Sequence, residues 1–303
     1  MSREHRFVQV DVFTDRLFGG NPLAVVLDGG GLADAEMQAI AGEMNLSETT
    51  FLFPPTRRDC AARVRIFTPR RELPFAGHPT LGTAWVLASE GRLPPGAKTL
   101  ALEEGIGPVP VEFEGEPGHP SFVWMRQRDA TFGPEIADRG AAARALTVTE
   151  DDLLPRAPVQ SASTGNSFLF VPLRDRATVD RAALDVHALT MGLGDAAALG
   201  VFVFGPDPHP SGARVYSRMF APHTSGVPED PATGSASGPL GAYLVRHGLA
   251  RGEGELDIVS EQGTRMGRQS FVHIRLRAAA GTATDIRVGG GVVPVLEGRL
   301  RLP

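Results

Sequence analysis

Polar and apolar residues alternate from the start of the chain, where "RFVQVDVF" (residues 6–13) reads as a half-buried strand. "LFGGNPLAVVL" (17–27) then places a Gly-Asn-Pro turn before an apolar strand. A helix is expected over about 33–44, because Met37, Ile40, Ala41 and Met44 recur at i, i+3, i+4 and i+7. "ETTFLFP" follows as a strand with Thr49, Phe51 and Phe53 alternating, and "RVRIFTP" as another. In "ELPFAGHPTLGTAWVLA" (72–88), Pro79 suits a first helical turn. Leu81, Ala84, Trp85, Leu87 and Ala88 cover most of that helix's circumference, so it should be buried on nearly every side. Gly and Pro crowd 91–96, 115–120 and 205–212 and mark turns. The stretch from about 126 to 160 is polar and helix-like with few strand signals, and the crossing from one domain to the next is placed there.

The second half repeats the first in the same order. "GNPLAVV" (20–26) recurs as "GNSFLFV" (165–171), "RIFTP" (65–69) as "RMFAP" (218–222), and "ELPFAGH" (72–78) as "EDPATGS" (229–235). Glu72 thereby aligns with Glu229, Pro74 with Pro231, Gly77 with Gly234, and His78 with Ser235. Two similar α/β lobes are expected, over about 1–130 and 131–289, with the strand near 290–303 a candidate to return to the first. Each lobe would launch a buried helix whose unpaired first-turn N–H groups attract an anion, and two such termini facing one another would hold a carboxylate. No G-x-x-x-x-G-K-[ST] and no G-x-G-x-x-G opening a helix is present, which disfavours a nucleotide.

Composition narrows the chemistry. With 303 residues the chain can bury a large core, and 42% hydrophobic with 21% charged residues is ordinary for a globular protein. A formal net charge of -5 argues against nucleic acid as a partner. The start lacks the apolar core of a secretory signal, and no run of apolar residues is long enough for a membrane span, so a cytoplasmic protein is expected. Cys60 is the single cysteine, which leaves no pair of thiols to face a substrate. Lys98 is the single lysine and follows "LPPG" in an exposed turn, a poor setting for a Schiff base, so no pyridoxal-type cofactor is expected. The remaining histidines, His5, His119, His187, His209, His223, His247 and His273, are scattered singly and form no metal motif. "TGSAS" lacks the G-x-S-x-G elbow of a serine hydrolase.

Four polar residues remain as candidates. Glu48, in "NLSETTFLF", stands where a helix meets an apolar strand; partial burial would make it a usable proton acceptor and donor, and a strand-edge carboxylate is the plainer alternative. His78 either relays a proton or only opens its helix beside Pro79. Asp230 precedes a proline and either shapes a turn or orients a substrate amine or hydroxyl. Ser235 stands where an N-cap belongs and could donate to a bound carboxylate as well.

Taken together, "DVFTDRLFGGNPLAVV", "NLSETTF", "RIFTPRRELPFAGHPTLGTA", "EDPATGSASGPLGAYL" and "EQGTRMGR" resemble the phenazine-biosynthesis PhzF-like family, which is similar in fold to diaminopimelate epimerase. The resemblance spans residues 11–268. It implies an α+β fold of two lobes, each a curled, mostly antiparallel sheet around a central helix, with an active cleft, no cofactor, and a homodimer. It also implies a glutamate acid/base at Glu48, with His78, Asp230 and Ser235 in the site and the Gly77 and Gly234 backbone approaching the substrate. The phenazine-pathway member isomerises trans-2,3-dihydro-3-hydroxyanthranilate. Diaminopimelate epimerase uses two cysteines where this chain has His78 and Ser235, so inversion at an unactivated carbon is not expected and a proton shuttle by Glu48 alone is. A small carboxylated molecule is the expected partner. A non-catalytic binding or interaction protein, or a cofactor-free racemase, are the alternatives.

Overall fold

Strands covered on both faces account for the continuous apolar runs of this chain. The computed structural model describes residues 3–94, 96–116, 118–194, 199–207, 213–221 and 228–303. The turn residues Pro95, Pro117 and 208–212, the histidines His209 and His223, and Pro222 of the repeated "RMFAP" lie outside the described residues. The chain divides into two units, one of residues up to 126 with Gly289–Pro303, the other within 127–288.

In the first unit β1 (Arg3–Val12) pairs antiparallel with β2 (Asn21–Val26), and α1 (Asp34–Met44) crosses over to β3 (Glu48–Phe53), parallel to β2. β4 (Ala62–Phe67) runs antiparallel to β3 and carries the two-residue β5 (Glu72–Leu73), which leads into α2 (Gly77–Ser89). β6 (Thr99–Glu104) then returns parallel to β4, and β7 (Gly107–Glu116) and β8 (His119–Arg126) follow as antiparallel neighbours.

The second unit opens with β9 (Thr131–Glu135), α3 (Arg139–Ala145) and β10 (Gln160–Ser163). β11 (Ser167–Pro172) pairs antiparallel with β10, and α4 (Arg176–Arg181) and α5 (Val186–Leu193) cross over to β12 (Val201–Pro206), parallel to β11. β13 (Ala213–Phe220) runs antiparallel to β12 and carries the two-residue β14 (Glu229–Asp230), which leads into α6 (Gly234–Arg246). β15 (Gly254–Gln262) returns parallel to β13, β16 (Ser270–Ala279) pairs with it, and β17 (Thr282–Gly290) follows. The closing strand β18 (Val292–Leu302) pairs antiparallel with β1.

From β1 to β7 and from β10 to β16 the same succession of parallel and antiparallel joins is used, each around one helix. Every residue of α2 from Gly77 to Ala88, and of α6 from Gly234 to Val245, is buried. The fold is therefore the mixed α+β arrangement, with mostly antiparallel sheets around central helices, that the motifs imply.

Side-chain contacts repeat as well. Arg65 pairs with Glu72 through two hydrogen bonds of 2.7 and 2.6 Å, and the aligned Arg218 pairs with Glu229 through two of 2.8 Å. Each forked pair fixes the short strand before its central helix. A Cβ on Gly105 would come within 2.8 Å of Pro74 Cα, and one on Gly263 within 2.6 Å of the Pro231 carbonyl oxygen. A glycine thus lets the loop proline of "ELP" or "EDP" lie against the end of β6 or β15.

Some expectations change. β3 does not alternate: Thr49 to Leu52 are all buried, because Phe51 faces Met37, Ile40 and Ala41 of α1 while Thr50 meets Thr83 of α2 at 2.9 Å. Met44 of α1 is only half-buried. The stretch 126–160 holds β9 as well as α3. Among the described residues, no helix is long and apolar enough to cross a membrane.

The two forked pairs differ in burial, and so should their worth. Arg218 and Glu229 keep 8% and 16% of their side-chain surface, Arg65 and Glu72 22% and 42%. Arg218 also donates to the carbonyls of Val179, Asp180 and Ala182 and would be stranded without its acid. Urea unfolding should show Glu229→Ala costing about 3 kcal/mol, as for a broken buried pair. Glu72→Ala should cost under about 1 kcal/mol, as for an exposed pair.

Candidate active site

Glu48 is the first residue of β3 and His78 the second of α2. Glu48 and Thr50 share one face of the strand because side chains alternate with period two. Thr50 touches Thr83 of α2. Two strand residues advance about 6.6 Å and five helix residues about 7.5 Å, so Glu48 lies about as far along β3 from Thr50 as His78 lies along α2 from Thr83. His78 Nε2 lies 3.4 Å from Glu48 Oε2. The imidazole is 4% exposed and the carboxylate 14%, so the acid is the member of the pair that solvent reaches.

The backbone carbonyl of Pro22 lies by the His78 ring and favours a ring N–H, while Nε2 makes no hydrogen bond among the described residues. A proton on Nδ1, on the side of Pro22, would leave the Nε2 lone pair turned toward Glu48. Pro22 reaches this place because β2 lies parallel to β3 with Leu23 opposite Glu48. Three separate sequence motifs, "GNP", "SET" and "GHP", thus meet in the first unit. Burial pushes the His78 pKa down to about 3, so the ring is a neutral acceptor near pH 7.

Neither central helix has a side-chain cap. Ala76, the N-cap of α2, has no polar side chain, and Pro79 has no N–H, so the amides of Gly77 and His78 are the unspent donors of that turn. Sequence reading placed Ser235 at the N-cap of α6; the N-cap is Thr233, and Ser235 is the second residue of the helix. The Thr233 hydroxyl is taken up by Asp230 Oδ2 at 2.6 Å and by Gln262 Nε2 at 3.0 Å, which leaves the Gly234 and Ser235 amides likewise unspent. The Ser235 hydroxyl, 7% exposed, bonds no group among the described residues. Asp230 is thus set beside the N-cap of the helix that bears Gly234 and Ser235.

The repeat also shows where the halves differ. With Leu23 opposite Glu48 in the first and Leu169 opposite Val201 in the second, the position matching Glu48 is Gly200. One half carries a carboxylate there; the other has backbone only, with no room for a Cβ 2.7 Å from the Phe220 carbonyl oxygen. Sequence reading gave no role to Pro22 or Gln262. Both stand in motifs already singled out, "GNP" and "EQG", but a backbone carbonyl and a loop-holding amide have no side-chain signature. Among the described residues no group of three or more His, Cys, Asp or Glu could hold a metal ion.

The phenazine biosynthesis-like protein family model matches residues 10–298. The chain is 37% identical over 298 residues to the trans-2,3-dihydro-3-hydroxyanthranilate isomerase of Pseudomonas aeruginosa, covering 98% of this chain and 100% of that protein. It is 33% identical over 305 residues to an uncharacterized isomerase of Clostridium acetobutylicum, covering 100% of both. Among solved structures it is similar to a PhzF-family phenazine biosynthesis protein of Bacillus anthracis, with a TM-score of 0.88, 26% identity, and coverage of 98% of this chain and 99% of that one.

The neutral ring has a consequence for stability. The folded-state pKa of His78 lies below its ordinary value of 6.5, so the unfolded chain takes up a proton that the folded one refuses. Its contribution is present above about pH 6.5 and is lost as pH falls toward 3, by about 1.4 kcal/mol per pH unit. Relative to His78→Asn, the wild type should lose about 2 kcal/mol between pH 6.5 and 5 in denaturant titrations. A pH-independent difference would contradict a buried neutral imidazole.

Proposed function

The chain belongs to the phenazine biosynthesis-like protein family and is an isomerase, and from that premise we propose that Glu48 moves a proton between two carbons of a small carboxylated substrate. The observation that carries this is the contact of Glu48 with a His78 that burial keeps neutral. Glu48 as carboxylate takes a proton from a carbon activated by conjugation, and the electron pair moves into the conjugated system. The resulting carboxylic acid is stabilised by the Nε2 lone pair and returns the proton to a second carbon on the same face. His78 stays neutral throughout, so it acts as a fixed acceptor and not as a second acid.

Each unit by itself offers donors suited to a substrate carboxylate at the start of its central helix, the unspent amides of Gly77 and His78 in the first and those of Gly234 and Ser235, with the Ser235 hydroxyl, in the second. Asp230 would take an amino or hydroxyl group of the substrate. Because the position matching Glu48 in the repeat is Gly200, a single carboxylate does the work, which favours proton transfer along one face over inversion.

The Pseudomonas aeruginosa relative is named for trans-2,3-dihydro-3-hydroxyanthranilate, and that compound is the first substrate to try. In deuterated water, wild-type protein should place deuterium on a substrate carbon. Glu48→Gln should lower turnover and exchange together by roughly 10²- to 10⁴-fold, the usual contribution of a general acid/base. Ser235→Ala should raise KM, by roughly tenfold for one lost hydrogen bond to a charged group, with kcat less affected. Unchanged exchange in Glu48→Gln would remove the proposed base.

A further inference from the structure

Glu104 ends β6 as a carboxyl group only 5% exposed, and the chemistry above makes no use of it. Its Oε1 lies 2.6 Å from Thr80 Oγ, and the same hydroxyl lies 2.7 Å from the carbonyl oxygen of Ala76, the N-cap of α2. A threonine hydroxyl has one proton to donate. If Glu104 were ionised, one of these two short contacts would join acceptors with no hydrogen to share.

The repeat shows where the hydroxyl proton goes when no acid competes for it. Ser237, which aligns with Thr80, donates to the carbonyl of the N-cap Thr233 at 2.9 Å. The residue aligned with Glu104 is Gln262: Arg63 faces Glu103 across β4 and β6, Tyr216 faces Glu261 across β13 and β15, and Glu104-Gly105 and Gln262-Gly263 follow. Gln262 is a neutral donor and acceptor. Its Nε2 donates to the Asp230 carbonyl and the Thr233 hydroxyl, and its Oε1 accepts from the Thr233 amide. A protonated carboxyl is the nearest ionisable equivalent of that amide.

We propose that Glu104 is held as a neutral carboxylic acid whose O–H donates to Thr80 Oγ, so that the relay Glu104 to Thr80 to Ala76 fixes the first turn of α2 and positions His78. Burial, outweighing the contact with Thr80, raises the Glu104 pKa to about 8. The charged groups around it are accounted for. Arg63 and Arg65 of β4, Glu72 of β5 and Glu103 of β6 line the same cavity, with Arg63 lying 4.8 Å over the Phe53 ring and acting on Glu103, Arg65 taken by Glu72 and Asp34, and Glu103 by Thr56 and the Arg57 amide. On α2 the titratable group is His78, and β7 meets Glu104 with Gly107, its first acid Glu112 lying opposite Thr99 at the other end of β6. Glu104 makes no ion pair among the described residues.

The effect on turnover rests on the roles proposed for Glu48 and His78; the effects on protonation and melting do not. Infrared difference spectra of wild type against Glu104→Gln at pH 6 should show a protonated carboxylic acid band in the wild type. Because the folded pKa is raised, the stabilisation is complete below the ordinary value of 4.5 and lost as pH rises through about 8. The wild-type melting temperature should therefore fall relative to that of Glu104→Gln from pH 5 to 8, and the gap should stop widening above about 9. Glu104→Gln, which keeps a donor for Thr80, should retain turnover, while Glu104→Ala and Thr80→Val lose roughly 10- to 100-fold in kcat and Thr80→Ser does not. A carboxylate band at pH 6, or a melting difference that ignores pH, would overturn the neutral acid. Full turnover by a folded Glu104→Ala would overturn the positioning role, and neither result would touch the role of Glu48.

Discussion

A helix start buried inside a core without a side-chain cap is the constraint on which this molecule is built. Backbone N–H groups removed from water need partners. In α2 the N-cap is an alanine, and in α6 the N-cap threonine has its hydroxyl committed to Asp230 and Gln262. Both helices therefore offer two amides each to whatever comes to them. Forked Arg–Glu pairs and glycine–proline contacts hold the preceding loops, and back-bonded hydroxyls at Thr80 and Ser237 hold the first turns, so the donors are fixed in place.

The repeat supplies the frame twice and a set of titratable groups once. Glu48 corresponds to Gly200, His78 to Ser235 and Glu104 to Gln262. At each of these places the first half has a titratable group and the second a neutral one. Burial sets the first half's groups apart in protonation, with His78 stripped of its proton well below neutrality and Glu104 keeping one up to about pH 8. His78 stands on α2 and Glu104 beside it, at the end of β6.

Much of this was legible in the sequence. The ordered matches "GNP", "RIF" and "ELPFAGH" with their partners gave the repeated frame, because a duplicated loop must keep the same arginine, glutamate, proline and glycine to keep its geometry. The apolar circumference of 77–88 gave the buried helix. What stayed hidden depended on pairing in space. That Glu48 meets His78 depends on how β3 runs alongside α2. The tautomer of His78 depends on a backbone carbonyl at Pro22, which no residue type announces. The N-cap of α6 was misplaced by two residues, since a serine in the first turn resembles a cap and the actual cap, Thr233, turns its hydroxyl away from the helix.

The central claim is that His78 is a neutral ring with its proton on Nδ1 and its Nε2 lone pair turned to Glu48. Nitrogen-15 NMR of the imidazole, assigned with a His78→Asn control, tests it directly. The shifts expected are those of the Nδ1–H tautomer, unchanged from about pH 5 to 9. An imidazolium near neutral pH, or a proton on Nε2, would contradict the account.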